Sequence, residues 1–355
     1  MIDWWETSFG EKEITSISEA IYGRNISQGK INIRLEESFA KLLNVKYAIT
    51  SPNGTQAILV ALSGVGVKGG DEVIVSSLTA IGTANAIYGL GAKPIFVDCA
   101  SDNPNLDVSQ IPAKITNKTK AILIVHYNGI AVDIEAVRKI ADEYNLPVIE
   151  DAAQAMFSMK QGRYLGTFFN AGTFSFAASK IMSSGQGGIT VTNDEDLYER
   201  MRKLKIQDRD DYDTPSFNMK FTDIQAAMLM PQLSEKETRT KRLKEIFTKY
   251  QDSLKNLSQV SMIGSSDEIG EVPLWAISQC QDRDNLYDYM VKNGVKPLKW
   301  PRPLNEARWF NNTSPFVNAS RWAGSGLRLP CGPARSDADI ERTIEVIQKF
   351  YNINA

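Results

Sequence analysis

Lys180 closes the run Gly172-Thr173-Phe174-Ser175-Phe176-Ala177-Ala178-Ser179-Lys180, and Asp151 lies upstream in Glu150-Asp151-Ala152-Ala153-Gln154. An amine behind an apolar, aromatic strand can be kept uncharged, and an uncharged amine is a nucleophile. An aspartate flanked by small residues at the end of an apolar run can hold a buried cation. Together the pair describes a site for pyridoxal phosphate (PLP). Lys180 would form the Schiff base, and Asp151 would keep the pyridine nitrogen protonated so that the ring acts as an electron sink. Each residue alone also has an ordinary reading: a surface lysine near a strand end, and a helix N-cap.

A phosphate needs its own cradle. Asn53-Gly54-Thr55 stands between a strand-like and a helix-like segment. Backbone N–H groups at a helix N-terminus, approached closely because Gly54 lacks a side chain, bind anions, and the Thr55 hydroxyl adds a donor. An ordinary N-cap would look the same. Ser175 is a second candidate phosphate ligand. Odd offsets in a strand point to opposite faces, so Ser175 and Lys180 converge only if the chain turns between them, which the small residues Ala177-Ala178-Ser179 permit. Gly185-Gln186-Gly187-Gly188 reads as a tight loop or a simple turn. His126, the only histidine, ends an apolar run, where it either lines a cleft or serves as a hydrogen-bonded structural residue.

The elements that must position these residues alternate. Strand-like runs at 47–50, 72–75, 94–97, 121–125, 147–150, 173–176 and 188–192 interleave with helix-like segments at 34–43, 55–62, 83–90 and 134–144. This pattern predicts an α/β fold with βα units and a mostly parallel sheet, its strands continuously apolar because both faces are covered. Residues 223–250 read as one or two long helices. Beyond them, 272–277 is strand-like, and 284–293 and 337–351 are helix-like. The expected organisation is a large cofactor-binding domain over 1–240 and a smaller α+β domain over 241–355.

Composition narrows the function further. At 355 residues the chain is too long for one ordinary core. A net charge of −2 shows no basic excess for nucleic acid or an anionic membrane surface. No apolar stretch reaches the roughly 18 residues of a spanning helix, and the first residues lack the features of a secretory signal. Cys99, Cys280 and Cys331 are too far apart for a zinc spacing and odd in number, so a reducing cytoplasm is the expected location. No metal is expected.

In this order the motifs resemble the DegT/DnrJ/EryC1/StrS sugar aminotransferases, PLP enzymes of fold type I. The resemblance begins near Ser27-Gln28-Gly29 and passes through Gly54-Thr55, Gly70-Asp71-Glu72-Val73-Ile74-Val75 and Val125-His126. It continues through the Asp151 and Lys180 runs, Gly187-Gly188, Phe217-Asn218 and Thr222-Asp223-Ile224-Gln225-Ala226-Ala227, and ends near Leu329-Pro330. It implies that Lys180 carries the cofactor, Asp151 pairs with the pyridinium nitrogen and Gln154 bonds near the ring hydroxyl. Gly54, Thr55 and Ser175 would hold the phosphate. Asn218 would reach the phosphate of a neighbouring subunit's cofactor, making a homodimer with shared active sites. The implied reaction moves an amino group from glutamate to a nucleotide-linked keto-deoxy sugar for a surface polysaccharide or a glycosylated product. Members with histidine in place of the lysine act as sugar dehydratases, and Lys180 favours transamination. A smaller phosphorylated ketone as acceptor, dehydration, and a PLP-binding regulator or inactive paralogue are the alternatives. Such regulators usually carry a DNA-binding segment, and no extra basic domain is visible.

Three positions depart from the family pattern. Ala80 stands where an aromatic residue usually stacks on the pyridine ring. Met156 replaces a frequent histidine, and Lys220 replaces the arginine of Asn-x-Arg, keeping the charge but losing bidentate recognition. Trp4, Trp5 and Lys299-Trp300-Pro301-Arg302 are candidate substrate contacts, with packing or surface roles as the alternative.

Overall fold

The computed structural model describes residues 1–205, 216–264, 270–310 and 316–353. Its centre is a seven-stranded sheet: β1 (Tyr47–Ser51), β2 (Glu72–Ser76), β3 (Lys93–Val97), β4 (Thr119–Val125), β5 (Val148–Asp151), β6 (Ala171–Ser175) and β7 (Gly188–Thr192). The strand order is β1-β7-β6-β5-β4-β2-β3, and only β7 runs antiparallel to its neighbours. Alternate residues feed opposite faces. Val75 and Leu123 pack with Phe39, Phe174 and Phe176 on one side, whereas Ile74, Ile122 and Ile124 pack with Val137 on the other. Both sides are covered, which explains the continuously apolar strands.

The helices of this part are α1 (Glu11–Tyr22), α2 (Lys30–Leu43), α3 (Gly54–Gly64), α4 (Ile81–Gly89), α5 (Ile134–Tyr144), α6 (Glu195–Lys205) and α7 (Asp223–Ser234). Most start on a side chain that accepts a backbone N–H. Asn53 Oδ1 accepts from Gln56 N at 2.9 Å at the start of α3, and Asp133 Oδ1 from Ala136 N at 3.0 Å at the start of α5. A capping box, Thr222 with Gln225, starts α7. The expected elements are present. α1 and α6 are additional, being amphipathic helices whose polar faces mask their periodicity.

Residue 240 lies inside α8 (Lys236–Leu254), which follows α7 and packs on the second sheet. That sheet is antiparallel, with β8 (Val260–Ile263), β9 (Ala276–Cys280), β10 (Leu298–Lys299) and β11 (Gly326–Leu329) in the order β8-β9-β11-β10. α9 (Arg283–Lys292), α10 (Val317–Ser325) and α11 (Asp337–Ile353) complete it. The strand expected at 272–277 begins only at Ala276. Pro273 has no N–H for a ladder, and the flanking backbone bonds to side chains instead: Val272 N donates to Ser158 Oγ at 2.9 Å, and Trp275 N to Asn128 Oδ1 at 2.8 Å. The chain's first residues also join this part. Ile2–Asp3 pairs with Val295–Lys296, and Trp4 O accepts from Cys331 N at 2.9 Å.

Candidate active site

The site residues collect where the parallel strands end, the usual place for ligands in an α/β sheet. Strand register places them side by side: Ser51 opposite Gly188, Gly188 opposite Ser175, and Thr173 opposite Asp151. The cradle follows from this register. A Cβ on Gly54 would lie 3.0 Å from Ser175 Cβ and 3.2 Å from its Oγ, so the N-terminus of α3 and the Ser175 hydroxyl face one small space. A Cβ on Gly82, in the first turn of α4, would lie 2.4 Å from Thr55 Oγ1, which brings a second helix start to the same place. Gly188 must also be glycine, because its Cβ would sit 2.5 Å from the carbonyl oxygen of Asn53. Gly188→Ala therefore has to push the Asn53-Gly54 backbone away. We expect it to cost about 1–3 kcal/mol in a urea melt and to weaken phosphate binding at the cradle.

Glu150 and Asp151 are neighbours on β5 with opposite fates. Glu150 points to a loop and is saturated. Its Oε1 accepts from Phe168 N at 2.6 Å and Phe169 N at 2.9 Å, and its Oε2 from Gly166 N at 2.8 Å and from His126 Nε2 at 2.9 Å. His126 Nδ1 accepts from Val132 N at 3.2 Å, so the fully buried histidine is neutral with its proton on Nε2. It is structural, the second of its two expected roles.

Asp151 faces the site. Its Oδ2 accepts from Thr83 Oγ1 at 2.8 Å and its Oδ1 from Ala153 N at 3.0 Å. Burial raises its pKa, while those two donors and the charge of Lys180 pull it back. This is a buried carboxylate oriented by neutral donors, a setting that favours a bound cation.

Lys180 sits beyond β6 in the turn that convergence requires. Its backbone N donates to Ala177 O at 3.1 Å. The carbonyls of the turn are held from outside: Ala178 O accepts from Trp5 Nε1 at 3.1 Å and from Thr7 Oγ1 at 2.6 Å, and Ser179 O from Trp275 Nε1 at 3.3 Å. Lys180 Nζ lies 5.1 Å from the centre of the Trp275 ring. The side chain keeps some contact with solvent, yet crowding by protein lowers its pKa to about 8, with Arg328 pushing down and Asp151 pushing up.

The sign of the pH effect follows. The folded chain binds fewer protons than the unfolded chain between pH about 8 and the ordinary lysine value of 10.5. This one group therefore adds stability as pH rises through that window and withholds it below about 8. The neutral amine is the nucleophile, so the rate of PLP capture should rise with pH and level off above about 8. A stopped-flow pH series of cofactor uptake measures this.

The remaining expected residues separate. Gln154 is buried near Asp151, with its Oε1 accepting from Asn128 N at 3.1 Å. Ala80 is the exposed residue before α4, Met156 is in the core, and Asn218 and Lys220 are exposed on the segment leading to α7. Trp300 is a packing residue, stacked on Trp322 and tilted against Tyr127, and Lys299 pairs with Asp284 at 2.6 Å. Trp4 and Trp5 do reach the Lys180 neighbourhood. Thr83, Trp275 and Arg328 were not anticipated. Thr83 opens the segment read as helix-like, whereas Trp275 precedes a strand and Arg328 lies within one, both far along the chain.

A model of the DegT/DnrJ/EryC1/StrS aminotransferase family matches residues 7–348. The chain belongs to this family. It is 34% identical to a GDP-perosamine synthase of Escherichia coli O157:H7 over 363 aligned residues, covering 98% of each chain. It is 31% identical to a GDP-perosamine synthase of Vibrio cholerae, covering 99% of this chain and all of that one. The crystal structure of DesV from S. venezuelae, in complex with a ketimine intermediate, superposes with a TM-score of 0.90 at 28% identity, covering 95% of this chain and 94% of that one. The fold is that of the PLP-dependent sugar aminotransferases, and the chain is a PLP-dependent aminotransferase. The geometry fits the cofactor: a cradle for a dianion, a buried carboxylate for a ring cation, and an amine with a lowered pKa.

Proposed function

We propose that this chain, as a cytoplasmic homodimer, transfers the amino group of glutamate to a nucleotide-linked keto-deoxy sugar used for a surface polysaccharide or glycoside. The observation that carries the reading is that the ends of β5 and β6 bring together a buried carboxylate, Asp151, held by Thr83 at 2.8 Å, and the Lys180 amine beside the Trp275 ring, near enough for each to act on the other's charge. When bound, PLP supplies an electrophilic carbonyl and an electron-withdrawing ring that acidifies the carbon bearing the amine.

The chain's own groups do the rest. Gly54, Thr55 and Ser175 hold the phosphate, Asp151 holds the ring nitrogen's proton, and Thr83 fixes the carboxylate plane. Gln154 lies by the ring hydroxyl. Lys180 would anchor the cofactor and, as a free amine, would take the proton from the donor's carbon and return one to the former keto carbon. Asn218 reaches the partner subunit's cofactor phosphate, in keeping with its exposure on a single chain. The exposed apolar side chains of Phe9, Ile14, Ile21, Tyr22, Ile33 and Phe217 support a subunit contact. Residues 1–240 form the cofactor-binding part, and 241–355 the smaller part that closes the site with Trp275.

The names of the relatives favour a GDP-linked sugar. Incubation with glutamate and a GDP-linked 4-keto-6-deoxy sugar should release 2-oxoglutarate and an aminated nucleotide sugar detectable by mass. Turnover of a small phosphorylated ketone alone, or of no acceptor, would sink this reading.

A further inference from the structure

The turn that carries Lys180 is tied on both sides of the lysine, by different parts of the molecule. Before it, Trp5, Thr7 and Trp275 hold the carbonyls of Ala178 and Ser179. After it, the ties come from α7 and α8. Ser183 N donates to Gln232 Oε1 at 2.9 Å, and Gln232 Nε2 donates to Ser183 O at 2.8 Å. The second amide hydrogen of Gln232 goes to Met228 O at 2.9 Å, one turn back in α7. Gln232 and Ser183 are both fully buried. A buried amide is costly unless paired, and this one is paired at its oxygen and through its nitrogen. Gln232 shares a face of α7 with Leu229 of the main core, where leucine would fill space equally well. What only the amide provides is a pair of bonds like those of a strand ladder, fixing the Ser183 peptide groups in two directions.

The neighbouring contacts act in the same sense. Arg239 Nη1, on α8, donates to Ile181 O at 3.3 Å, and Ser184 N donates to Phe176 O at 3.1 Å. Gln225 Nε2, in the first turn of α7, donates to Gln186 O at 2.9 Å. The Lys180 amine ends a flexible four-carbon stem, so the backbone that carries it decides how it stands relative to Trp275, Asp151 and Arg328. We propose that α7 positions the Lys180 amine through Gln232, whose amide locks Ser183, with Gln225 as a second tie further along the turn. This rests on the reading above, in which Lys180 captures the cofactor. With the later ties cut, the turn is held only at Ala178 and Ser179 and can swing outward. Water then reaches the amine, the crowding that lowers its pKa weakens, and the value climbs from about 8 toward the ordinary 10.5.

The test follows PLP uptake by the cofactor-free full chain in a stopped-flow pH series, with thermal melts alongside. Gln232→Met keeps the length of the side chain and removes its amide. It should raise the midpoint of the rate profile by about one pH unit, slowing uptake near pH 7 about tenfold, and reach the wild-type plateau at high pH. A purely structural role would reduce the amplitude with the folded fraction and leave the midpoint where it is. Gln225→Glu keeps the acceptor of the α7 capping box and loses the donor to Gln186 O, so it should fold and shift the midpoint in the same direction by less. Val137→Ala, in the core on the other side of the sheet, should lower the melting temperature without moving the midpoint. Wild-type midpoints in both glutamine variants, or an equal shift in Val137→Ala, would overturn the assignment. If wild-type Lys180 takes up no PLP, the functional reading itself fails; uptake on Lys180 with unmoved midpoints in the variants ends the role of α7 alone.

Discussion

Lys180→Ala should eliminate transamination while leaving the fold intact. The side chain is asked both to anchor the cofactor and to move the proton between two carbons. General acid–base transfer alone is worth about 10²–10⁴-fold, and the loss of covalent anchoring adds to it, so turnover should fall by on the order of 10⁴-fold or more. The backbone turn does not depend on the amine. The turn is held by the Lys180 backbone N–H on Ala177 O and by Trp5, Thr7 and Trp275 on the neighbouring carbonyls. Removing a desolvated amine also lifts a small penalty, so the cofactor-free variant should melt at or slightly above the wild-type temperature. Steady-state rates and thermal melts on the same preparation check both halves. Lys180→Arg should lose turnover alike, since a guanidinium is no nucleophile, but it keeps a buried charge at every working pH and so gains no stability.

Asp151→Asn should divide function from stability in a different way. Without cofactor, the native carboxylate is a buried charge whose burial raises its pKa, and only Thr83, the Ala153 N–H and the more distant Lys180 offset that. Asparagine keeps the shape without the charge, so the cofactor-free protein should be equally stable or more so. With cofactor the sign reverses, because asparagine cannot hold the ring-nitrogen proton. Breaking a buried ion pair costs about 3–5 kcal/mol, which corresponds to on the order of 10²–10⁴-fold in turnover. Thermal melts with and without PLP, alongside kcat, read out the reversal. An Asn variant with wild-type turnover would remove Asp151 from the mechanism.

Much of this site was legible in the sequence because its key residues end strands. Asp151, Ser175 and the Gly54-Thr55 corner each sit where an apolar run stops, and a parallel sheet brings such ends to one edge. The turn that swings Lys180 back was inferable from three small residues. What escaped was set by tertiary context. Glu150 and Asp151 look alike in sequence, and only the alternation of β5 sends one to a structural loop and the other to the site. His126 gave no sign of being locked between Glu150 and Val132. Arg328 reads as one charge in a short strand near the C-terminus, and becomes informative only when the second sheet folds it against Trp275 and Lys180. The aromatic missing at Ala80 is not replaced at that position; the indole near the reacting amine is Trp275, contributed by the second part of the chain.

The central claim is that Lys180 is the cofactor's anchor. The direct measurement is borohydride reduction of the purified, PLP-loaded protein, followed by proteolysis and mass mapping. The reduced phosphopyridoxyl group should be found on the peptide containing Lys180, and no such adduct should form in Lys180→Ala. An adduct mapped to another lysine, or a loaded protein with none, would contradict the account.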